Sequence, residues 1–288
     1  MISAGLAAAL APVTGELASS EAVGGGSINE SCRLTGRDGR EWFLKLNDAA
    51  YVDMFAAEAA GLEELAAARA VRVPLPLAHG TAQGYAYLLQ EYLHLGRSGA
   101  GAAAALGRQL AAQHRVTQNR FGWHCDNTIG RTPQTNAWTD NWVAFWSDHR
   151  LGFQLELARR NGHDHGLLQR GRALQARLPE LLQDHSPSAS LLHGDLWGGN
   201  WGALADGTPV IFDPAVYYGD RETDLAMTTL FRGYPDEFYA AYQGEWPLAS
   251  GYEQRFRLYN LYHVLNHLNL FGGAYMGQAL DLIDGLLH

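Results

Sequence analysis

The stretch LLHGDLWGGNWG, residues 191–202, is the densest polar cluster in the chain and decides the fold. An apolar pair leads into His193 and Asp195, and Asn200 follows the aspartate by five residues. In phosphoryl transfer, the aspartate of such a loop orients an attacking hydroxyl and accepts its proton, and an asparagine slightly further on binds the metal. An Asx-rich turn between two helices has the same composition, so the loop alone leaves both interpretations open.

A second stretch, PVIFDPAVYYGD at residues 209–220, favours the catalytic interpretation. Pro209 to Phe212 has the apolar character of a short strand, and Asp213 follows it, eighteen residues after Asp195. Mg²⁺ prefers oxygen ligands and usually takes only one or two from the protein, so Asp213 and Asn200 are chemically sufficient to bind it. On its own, Asp213 is also typical of a helix cap or a turn.

The first ninety residues predict a β-rich unit that holds one helix. Turn signals separate three short β-branched or aromatic runs, which predict antiparallel strands at Ile28 to Leu34, Glu41 to Leu46 and Tyr85 to Gln90. Met54 to Ala70 has Ala, Leu and Glu at helical density. From about Leu106 onward the pattern predicts helices at Leu106 to His114, Trp138 to Gly162, His165 to Asp184, Asp224 to Phe231, Pro235 to Gln243 and Tyr252 to Phe271. We therefore predict an N-terminal unit at residues 1–91 and a C-terminal unit at residues 92–288.

The β-rich unit also contains three features of a nucleotide site, each with an ordinary alternative. Residues 24–29 read GGGSIN, and glycines without a Cβ let backbone N–H groups approach phosphate oxygens, although a plain hairpin turn has the same composition. Lys45 lies in the strand-like run WFLKLN, where a lysine is usually solvated. Glu58 follows in the helix, from which a glutamate can hold a strand lysine against phosphates. The order of these features along the chain supports the functional interpretation.

That order, from glycine-rich turn to strand lysine, helix glutamate, HxD, Asn and Asp, is the one found in eukaryotic-like protein kinases and their small-molecule relatives. More specifically, the chain resembles the fructosamine kinase, or ketosamine kinase, family over nearly its whole length. The motifs that carry the resemblance are HGDLWGGN at 193–200, FDPAVYYGDRETDLAM at 212–227 and FGWHCDNTIGRTPQTN at 121–136. The HGD form also resembles aminoglycoside and choline kinases, and FDP replaces the DFG of protein kinases.

The resemblance implies an α+β, bilobal protein-kinase-like fold, with a β-rich N-lobe that holds one main helix and an α-rich C-lobe. It implies ATP and Mg²⁺ as cofactors, with Asp195 as the catalytic base and with Asn200 and Asp213 as metal ligands. Lys45 and Glu58 would form the ion pair that positions the phosphates. The remaining residues expected to contact the nucleotide are Gly24, Gly25, Gly26, Ser27, Asn29, Glu91, Tyr92 and Leu93.

The resemblance further implies a kinase that phosphorylates a sugar hydroxyl, the 3-hydroxyl of a fructosamine or ribulosamine, as a deglycation repair activity. The acceptor would be a small-molecule or protein-bound glycated amine. Candidate substrate contacts are Trp197 and Trp201, which flank the catalytic loop and are equally suited to packing, and Asp220 in the acidic run after Asp213. The alternatives are an aminoglycoside- or choline-type kinase and a catalytically dead kinase-like binding module.

Composition limits the partners and the compartment. The 21 basic and 30 acidic residues give a formal net charge of −9, so we expect neither nucleic acid nor an anionic membrane surface as a partner. The N-terminal stretch lacks a positively charged n-region and predicts a short amphipathic helix rather than a signal peptide. Two cysteines, Cys32 and Cys125, are too few for a disulfide framework, which indicates a reducing compartment. We therefore expect a cytoplasmic protein.

Overall fold

A five-stranded antiparallel sheet forms the N-terminal lobe in the computed structural model, which describes residues 2–24, 28–231 and 233–288. Its strands are β1 (Leu17–Ala22), β2 (Glu30–Gly36), β3 (Glu41–Asp48), β4 (Pro76–Ala82) and β5 (Tyr85–Glu91). Their order across the sheet is β1, β2, β3, β5, β4, so β3 lies in the centre and pairs with β5. The boundary predicted between residues 91 and 92 falls at the end of β5.

One helix packs on each face of this sheet. Helix α1 (Ala4–Thr14) buries Leu6 and Leu10 in the cluster that also contains Leu44 of β3. Helix α2 (Val52–Ala68) packs Phe55 against Leu88 of β5 on the opposite face. Because side chains alternate along a strand, and because Lys45 pairs with Leu88 whereas Leu44 pairs with Leu89, Lys45 lies on the α2 face.

The C-terminal lobe is mainly helical. Its helices are α3 (Ala100–His114), α4 (Trp142–Phe145), α5 (Phe153–Arg160), α6 (His165–Leu181), α7 (Glu222–Thr228), α8 (Asp236–Glu245), α9 (Tyr252–Phe271) and α10 (Met276–Leu287), and a π-helical segment, Trp146–Gly152, joins α4 to α5. Short strands complete it: β6 (Thr117–Gln118), β7 (Asn127–Ile129), β8 (Thr132–Gln134), β9 (Ala189–Leu192), β10 (Trp201–Ala203), β11 (Pro209–Ile211) and β12 (Tyr217–Gly219). The hairpin β10–β11 carries the catalytic motif at its start and Asp213 just beyond its end.

The predicted fold class, a β-rich N-lobe and an α-rich C-lobe, is confirmed. Strand β4, which begins at Pro76, takes the edge position where a strand tolerates proline. One local prediction needs correction. The single helix predicted from Trp138 to Gly162 begins at Trp142 and contains the π-helical segment. Strand β1 and helix α10 were not predicted.

In the part of the chain that the structure describes, no helix combines the length and the apolar character required to cross a bilayer.

Candidate active site

The two lobes face each other across a cavity of about 620 Å³. Strand β3 and helix α2 supply its N-lobe wall, and the loops after β9 and β11 supply its C-lobe wall. Its polar lining includes Asn29, Lys45, Glu58, Asp195, Asn200 and Asp213. The fold therefore brings together residues that lie up to 184 positions apart in the sequence.

Lys45 forms the polar centre of the N-lobe wall. Its Nζ lies 2.5 Å from Glu58 Oε1 and 2.5 Å from Asp213 Oδ1, and the side chain is almost completely buried. Gln90 Nε2 donates to the same Glu58 oxygen at 3.1 Å, which fixes that carboxylate from a second side. Burial alone would lower the pKa of Lys45, but Asp213 and Glu58 outweigh it and hold the pKa above its ordinary value. Lys45 therefore presents a permanent positive charge to the cavity.

The catalytic loop depends on a glycine at the second position of HGD. Gly194 has φ +84°, and a Cβ built on it would lie 2.0 Å from the carbonyl oxygen of Ala215. No side chain fits at this contact, so this backbone requires glycine at the second position of the motif. His193 joins the two sides of the site, since its Nδ1 accepts from the Asp195 N–H at 3.2 Å and its Nε2 donates to the Phe212 carbonyl at 2.9 Å.

Asp195 lies at the floor of the cavity with Asn200 beside it. Asn200 Nδ2 donates to the Asp195 carbonyl at 2.9 Å and to Asp195 Oδ2 at 3.3 Å. Burial, together with the nearby charge of Asp213, raises the pKa of Asp195 to about 7. A carboxylate with a raised pKa is a competent proton acceptor near neutral pH.

Asn200 and Asp213 fit a divalent cation by their donor atoms. The amide nitrogen of Asn200 is engaged with Asp195, which leaves its Oδ1 as the oxygen available for a ligand. Asp213 holds Lys45 through Oδ1, and its half-exposed side chain keeps Oδ2 available on the cavity side. The two carboxylates of Asp195 and Asp213 repel each other, and a bound cation would relieve that repulsion.

The predicted nucleotide contacts have different positions around the cavity. Tyr92 and Leu93 line it, as does Glu91. The carboxylate of Glu91, however, forms an ion pair with Arg72, and its backbone N–H donates to the Leu75 carbonyl at 2.9 Å. The Glu91 side chain is therefore already paired within the protein. The adenine of a nucleotide bound at this point would contact mainly the backbone and the neighbouring side chains.

The predicted phosphate loop is described only at its two ends. Gly24 and Asn29 line the cavity, and Asn29 Oδ1 accepts from Asn47 Nδ2 at 2.7 Å. Gly25, Gly26 and Ser27, which we also predicted as phosphate contacts, lie outside the described residues.

Of the three predicted substrate contacts, only Trp197 reaches the cavity. It is 38% exposed, and its ring meets the edge of Phe231 at a centroid distance of 6.4 Å. Trp201 belongs to β10, where its pairing with Ile211 directs the ring onto Tyr234 at 5.4 Å. Trp201 does not line the cavity, and its place in the predicted substrate contacts is corrected to packing.

Asp220 is also displaced from the cavity. It is 1% exposed, accepts from the Tyr259 hydroxyl at 2.6 Å and lies 2.5 Å from His185 Nε2. These bonds hold the N-terminus of α7 inside the C-lobe, because Asp220 Oδ1 also accepts from the Glu222 N–H at 3.0 Å. We therefore correct its predicted substrate role to a structural one.

Asp224 is a functional residue that the predicted site did not include. Its carboxylate accepts from the N–H groups of His193 at 2.7 Å and Gly194 at 2.8 Å, and from His114 Nε2 at 3.1 Å. Burial opposes its charge, but the hydrogen bonds that it accepts from His114 and from the Gly194 N–H outweigh that effect and lower the pKa of Asp224. Asp224 thus anchors the backbone that presents Asp195. Its signal in the sequence is the run DRETD, whose last carboxylate lies in the first turn of α7.

A bilobal fold with a lysine–glutamate pair in the N-lobe, and an HxD loop with Asn and Asp in the C-lobe, defines a phosphotransferase of the kinase-like class. The model of the family described as "Fructosamine kinase" matches residues 4–288. This chain belongs to that family, and the resemblance drawn from the sequence is confirmed.

Individual relatives agree over most of the chain. A "probable ketoamine kinase" from Synechocystis sp. is 48% identical over 268 residues, which cover 92% of this chain and 89% of that protein. A chloroplastic protein-ribulosamine 3-kinase from Oryza sativa subsp. indica is 41% identical over 92% of this chain and 78% of its own length. Among solved structures, a "putative fructosamine-3-kinase" from Haemophilus somnus 129PT has a TM-score of 0.90 at 30% identity and covers 99% of this chain and 97% of its own.

Proposed function

We propose that this chain is an ATP-dependent kinase that phosphorylates the 3-hydroxyl of a ketosamine, such as a fructosamine or a ribulosamine. The convergence of Lys45, Asp195 and Asp213 in one cavity is the observation that carries the phosphoryl-transfer part of the proposal. Membership of the fructosamine kinase family and the names of the relatives support the sugar substrate. The activity would serve to remove sugars from glycated amines.

In this proposal the protein contributes positioning and charge rather than covalent chemistry. Lys45 and the backbone of residues 24–29 bind phosphate oxygens, and the adenine of ATP lies against Tyr92 and Leu93. Asn200 and Asp213 would hold Mg²⁺, which would supply positive charge to the phosphates. Asp195 orients the acceptor hydroxyl and takes its proton on a carboxylate oxygen as the new O–P bond forms. The bond between the γ-phosphorus and the β–γ bridging oxygen of ATP breaks in the same step, and ADP leaves.

Trp197 is our candidate for the sugar contact. Its exposed indole lies in the same cavity as Asp195, and an indole face packs against a sugar ring. The protonated amine of a ketosamine is also attracted to an indole face, by about 0.5 to 2 kcal/mol depending on desolvation. A single aromatic platform suits one sugar ring better than a polycationic aminoglycoside, which would favour a broad acidic cleft.

The acceptor is free or protein-bound in this proposal, and the location is the cytoplasm. Cys32 and Cys125 both lack a disulfide, which supports a reducing compartment.

A panel of acceptors tests the function. Purified protein would be incubated with ATP and Mg²⁺ together with a fructosamine, a ribulosamine, an aminoglycoside of the kanamycin type or choline, and ADP release would be followed. Asp195→Asn gives the background of acceptor-independent hydrolysis. We expect the ketosamines to raise ADP release well above that background. If the aminoglycoside or choline proves a far better acceptor than either ketosamine, the proposal is wrong.

A further inference from the structure

The segment FGWHCDNTIGRTPQTN at 121–136 has no role in the function proposed above. It contains the hairpin of β7 and β8, whose residues Asn127, Thr128 and Gly130 line the cavity next to the segment that follows Asp213. We propose that a buried amide relay, which starts at Arg150 and passes through this hairpin, positions the backbone after Asp213 and so sets the metal-binding geometry. The proposal rests on the proposed function, because that function assigns Asp213 to the metal.

Arg150 fixes the direction of the hydrogen bonds in the relay. A guanidinium can only donate, and Arg150 Nη2 donates to Asn136 Oδ1 at 2.8 Å. The Nδ2 of Asn136 must then face acceptors, which are Asn127 Oδ1 at 3.0 Å and the Cys125 carbonyl at 3.2 Å. Since Asn127 Oδ1 accepts, Asn127 Nδ2 is left to donate, and it does so to the carbonyl of Val216 at 2.8 Å. Each amide has a single orientation that satisfies its neighbours.

A second branch of the relay reaches the adjacent carbonyl. Gln134 Nε2 donates to Asn127 Oδ1 at 2.9 Å and to the carbonyl of Ala215 at 3.1 Å. The hydroxyl of Tyr262 donates to Gln134 Oε1 at 2.7 Å, which prevents this amide from turning over. Two consecutive carbonyls, Ala215 and Val216, are therefore held from the hairpin side.

Ala215 is the residue through which these hydrogen bonds affect both the segment after Asp213 and the loop that presents Asp195. Its N–H donates to the His193 carbonyl at 2.8 Å, and its own carbonyl lies against Gly194. The Ala215 peptide thus joins the segment after Asp213 to the loop that presents Asp195. A shift of Ala215 changes the position of Asp213 relative to Asn200, which follows Asp195 in the catalytic loop, and that position decides how well the two residues would hold a cation.

The hydrogen bonds of the relay keep their direction because Arg150 stays a charged donor, stabilised by neutral groups. Arg150 is fully buried, and its guanidinium carbon lies 4.1 Å from the ring centre of Tyr217, 4.5 Å from that of Phe145 and 5.7 Å from that of Tyr262. The carbonyl of Thr135 accepts from Nη1 at 2.8 Å. An aromatic cage and carbonyl groups can hold a buried cation without neutralising it, so Nη2 of Arg150 stays a donor to Asn136.

The substitution Asn136→Asp tests the relay with almost no change of shape. It keeps the acceptor for Arg150 and replaces the donor that faces Asn127 Oδ1 by a second acceptor. Asn260→Asp is the matched control, because Asn260 is buried in the same lobe and donates to Thr229 Oγ1 at 3.0 Å outside the relay. The measurement is the Kd for ATP with Mg²⁺ and for adenosine, by calorimetry, in each variant.

We expect Asn136→Asp to raise the Kd for ATP with Mg²⁺ by about tenfold while adenosine binding stays unchanged, since one buried donor is lost. Asn260→Asp should leave the ratio of the two constants as in the wild type, even if it lowers stability. A ratio in Asn136→Asp equal to that of the control overturns the proposal.

A milder variant decides the matter if Asn136→Asp does not fold. Tyr262→Phe removes only the hydroxyl that fixes Gln134, and we expect a several-fold change of the same ratio; an unchanged ratio overturns the proposal. Wild-type protein that does not bind ATP with Mg²⁺ would instead contradict the proposed function, and the relay proposal with it.

Discussion

Two polar networks lie on opposite sides of the catalytic loop, and they differ in how completely their groups are paired. The cleft network lines the cavity and consists of Lys45, Glu58, Asp195, Asn200 and Asp213. The closed network lies behind the loop and consists of Asp224, His114, Tyr242 and Arg221. The cleft network leaves carboxylate and amide oxygens available on the cavity side, whereas the closed network is internally matched from donor to acceptor. We infer that the first is built for ligands and the second for holding the loop.

The largest expected effect is on the cleft side. Asp195→Asn removes the proposed proton acceptor and should reduce turnover by about 10² or more. Because burial and Asp213 make the ionised Asp195 unfavourable in the free protein, the same substitution should not lower the melting temperature. Steady-state kinetics and thermal unfolding measure the two effects. Turnover within a few-fold of the wild type would contradict the role of Asp195.

On the closed side the main loss should be in stability. Asp224→Asn places an amide against two backbone N–H groups and the His114 ring, and should lower the free energy of unfolding by about 3 kcal/mol or more. Denaturant unfolding measures it, with the exposed Asp236→Asn on α8 as control. A loss no greater than that of the control would show that Asp224 does not anchor the loop.

Lys45 tests the difference between the two networks, because it is buried like the closed network yet belongs to the cleft network. Lys45→Met should raise the Kd for ATP by about ten- to a hundredfold, because a charged partner of the phosphates is lost. Adenosine has no phosphates, so its binding should stay nearly unchanged. Calorimetric titration with both ligands distinguishes the cases. Equal weakening of both would make Lys45 a structural residue.

The stability of the protein should also depend on pH, because histidines are buried in the C-lobe. Burial lowers the pKa of His263 to about 3, and it lowers the pKa of His114 and His193 as well. The unfolded state then binds more protons than the folded state, so stability falls as the pH drops below the unfolded pKa of about 6.5. His263 alone should cost about 2 kcal/mol between pH 7 and pH 5.

His263→Gln tests this slope, with the exposed His165→Gln as control. Unfolding by denaturant at pH 7 and at pH 5 should show a smaller difference in His263→Gln than in either the wild type or the control. An unchanged slope would mean that His263 is not a buried neutral base.

The smallest expected effect is on the choice of sugar. Trp197→Leu should raise KM for a fructosamine several-fold and leave KM for ATP unchanged, since only the stacking surface is lost. Trp201→Leu is the matched control, because Trp201 lies four residues away and packs on Tyr234 outside the cavity. If the two variants behave alike towards the sugar, Trp197 is not the platform.

The difference between the cleft network and the rest of the molecule also explains which features the sequence could predict. Lys45, Glu58, Asp195, Asn200 and Asp213 lie in local motifs whose residue types are demanded by the chemistry, and the structure brings all five to one cavity. Whether these site residues perform the proposed roles stays a prediction.

The remaining features depend on tertiary contacts that no local pattern reveals. Trp197 and Trp201 are equally aromatic, and only the pairing of β10 with β11 decides which ring reaches the cavity. Asp220 and Asp224 stand in one acidic run, but Asp220 precedes α7 and Asp224 lies in its first turn, and this difference decides which of them meets the catalytic loop. The π-helical segment 146–152 keeps a helical composition, so its extra residue leaves no mark in the periodicity.

The position of the phosphate in the product tests the central claim most directly. The protein would be incubated with ATP, Mg²⁺ and a synthetic fructosamine, and the product would be analysed by ³¹P–¹H correlation NMR. We expect one phosphoryl group, on the 3-hydroxyl of the sugar, formed by the wild type and not by Asp195→Asn. A phosphate on another hydroxyl, or ADP formed without any phosphorylated sugar, would contradict it.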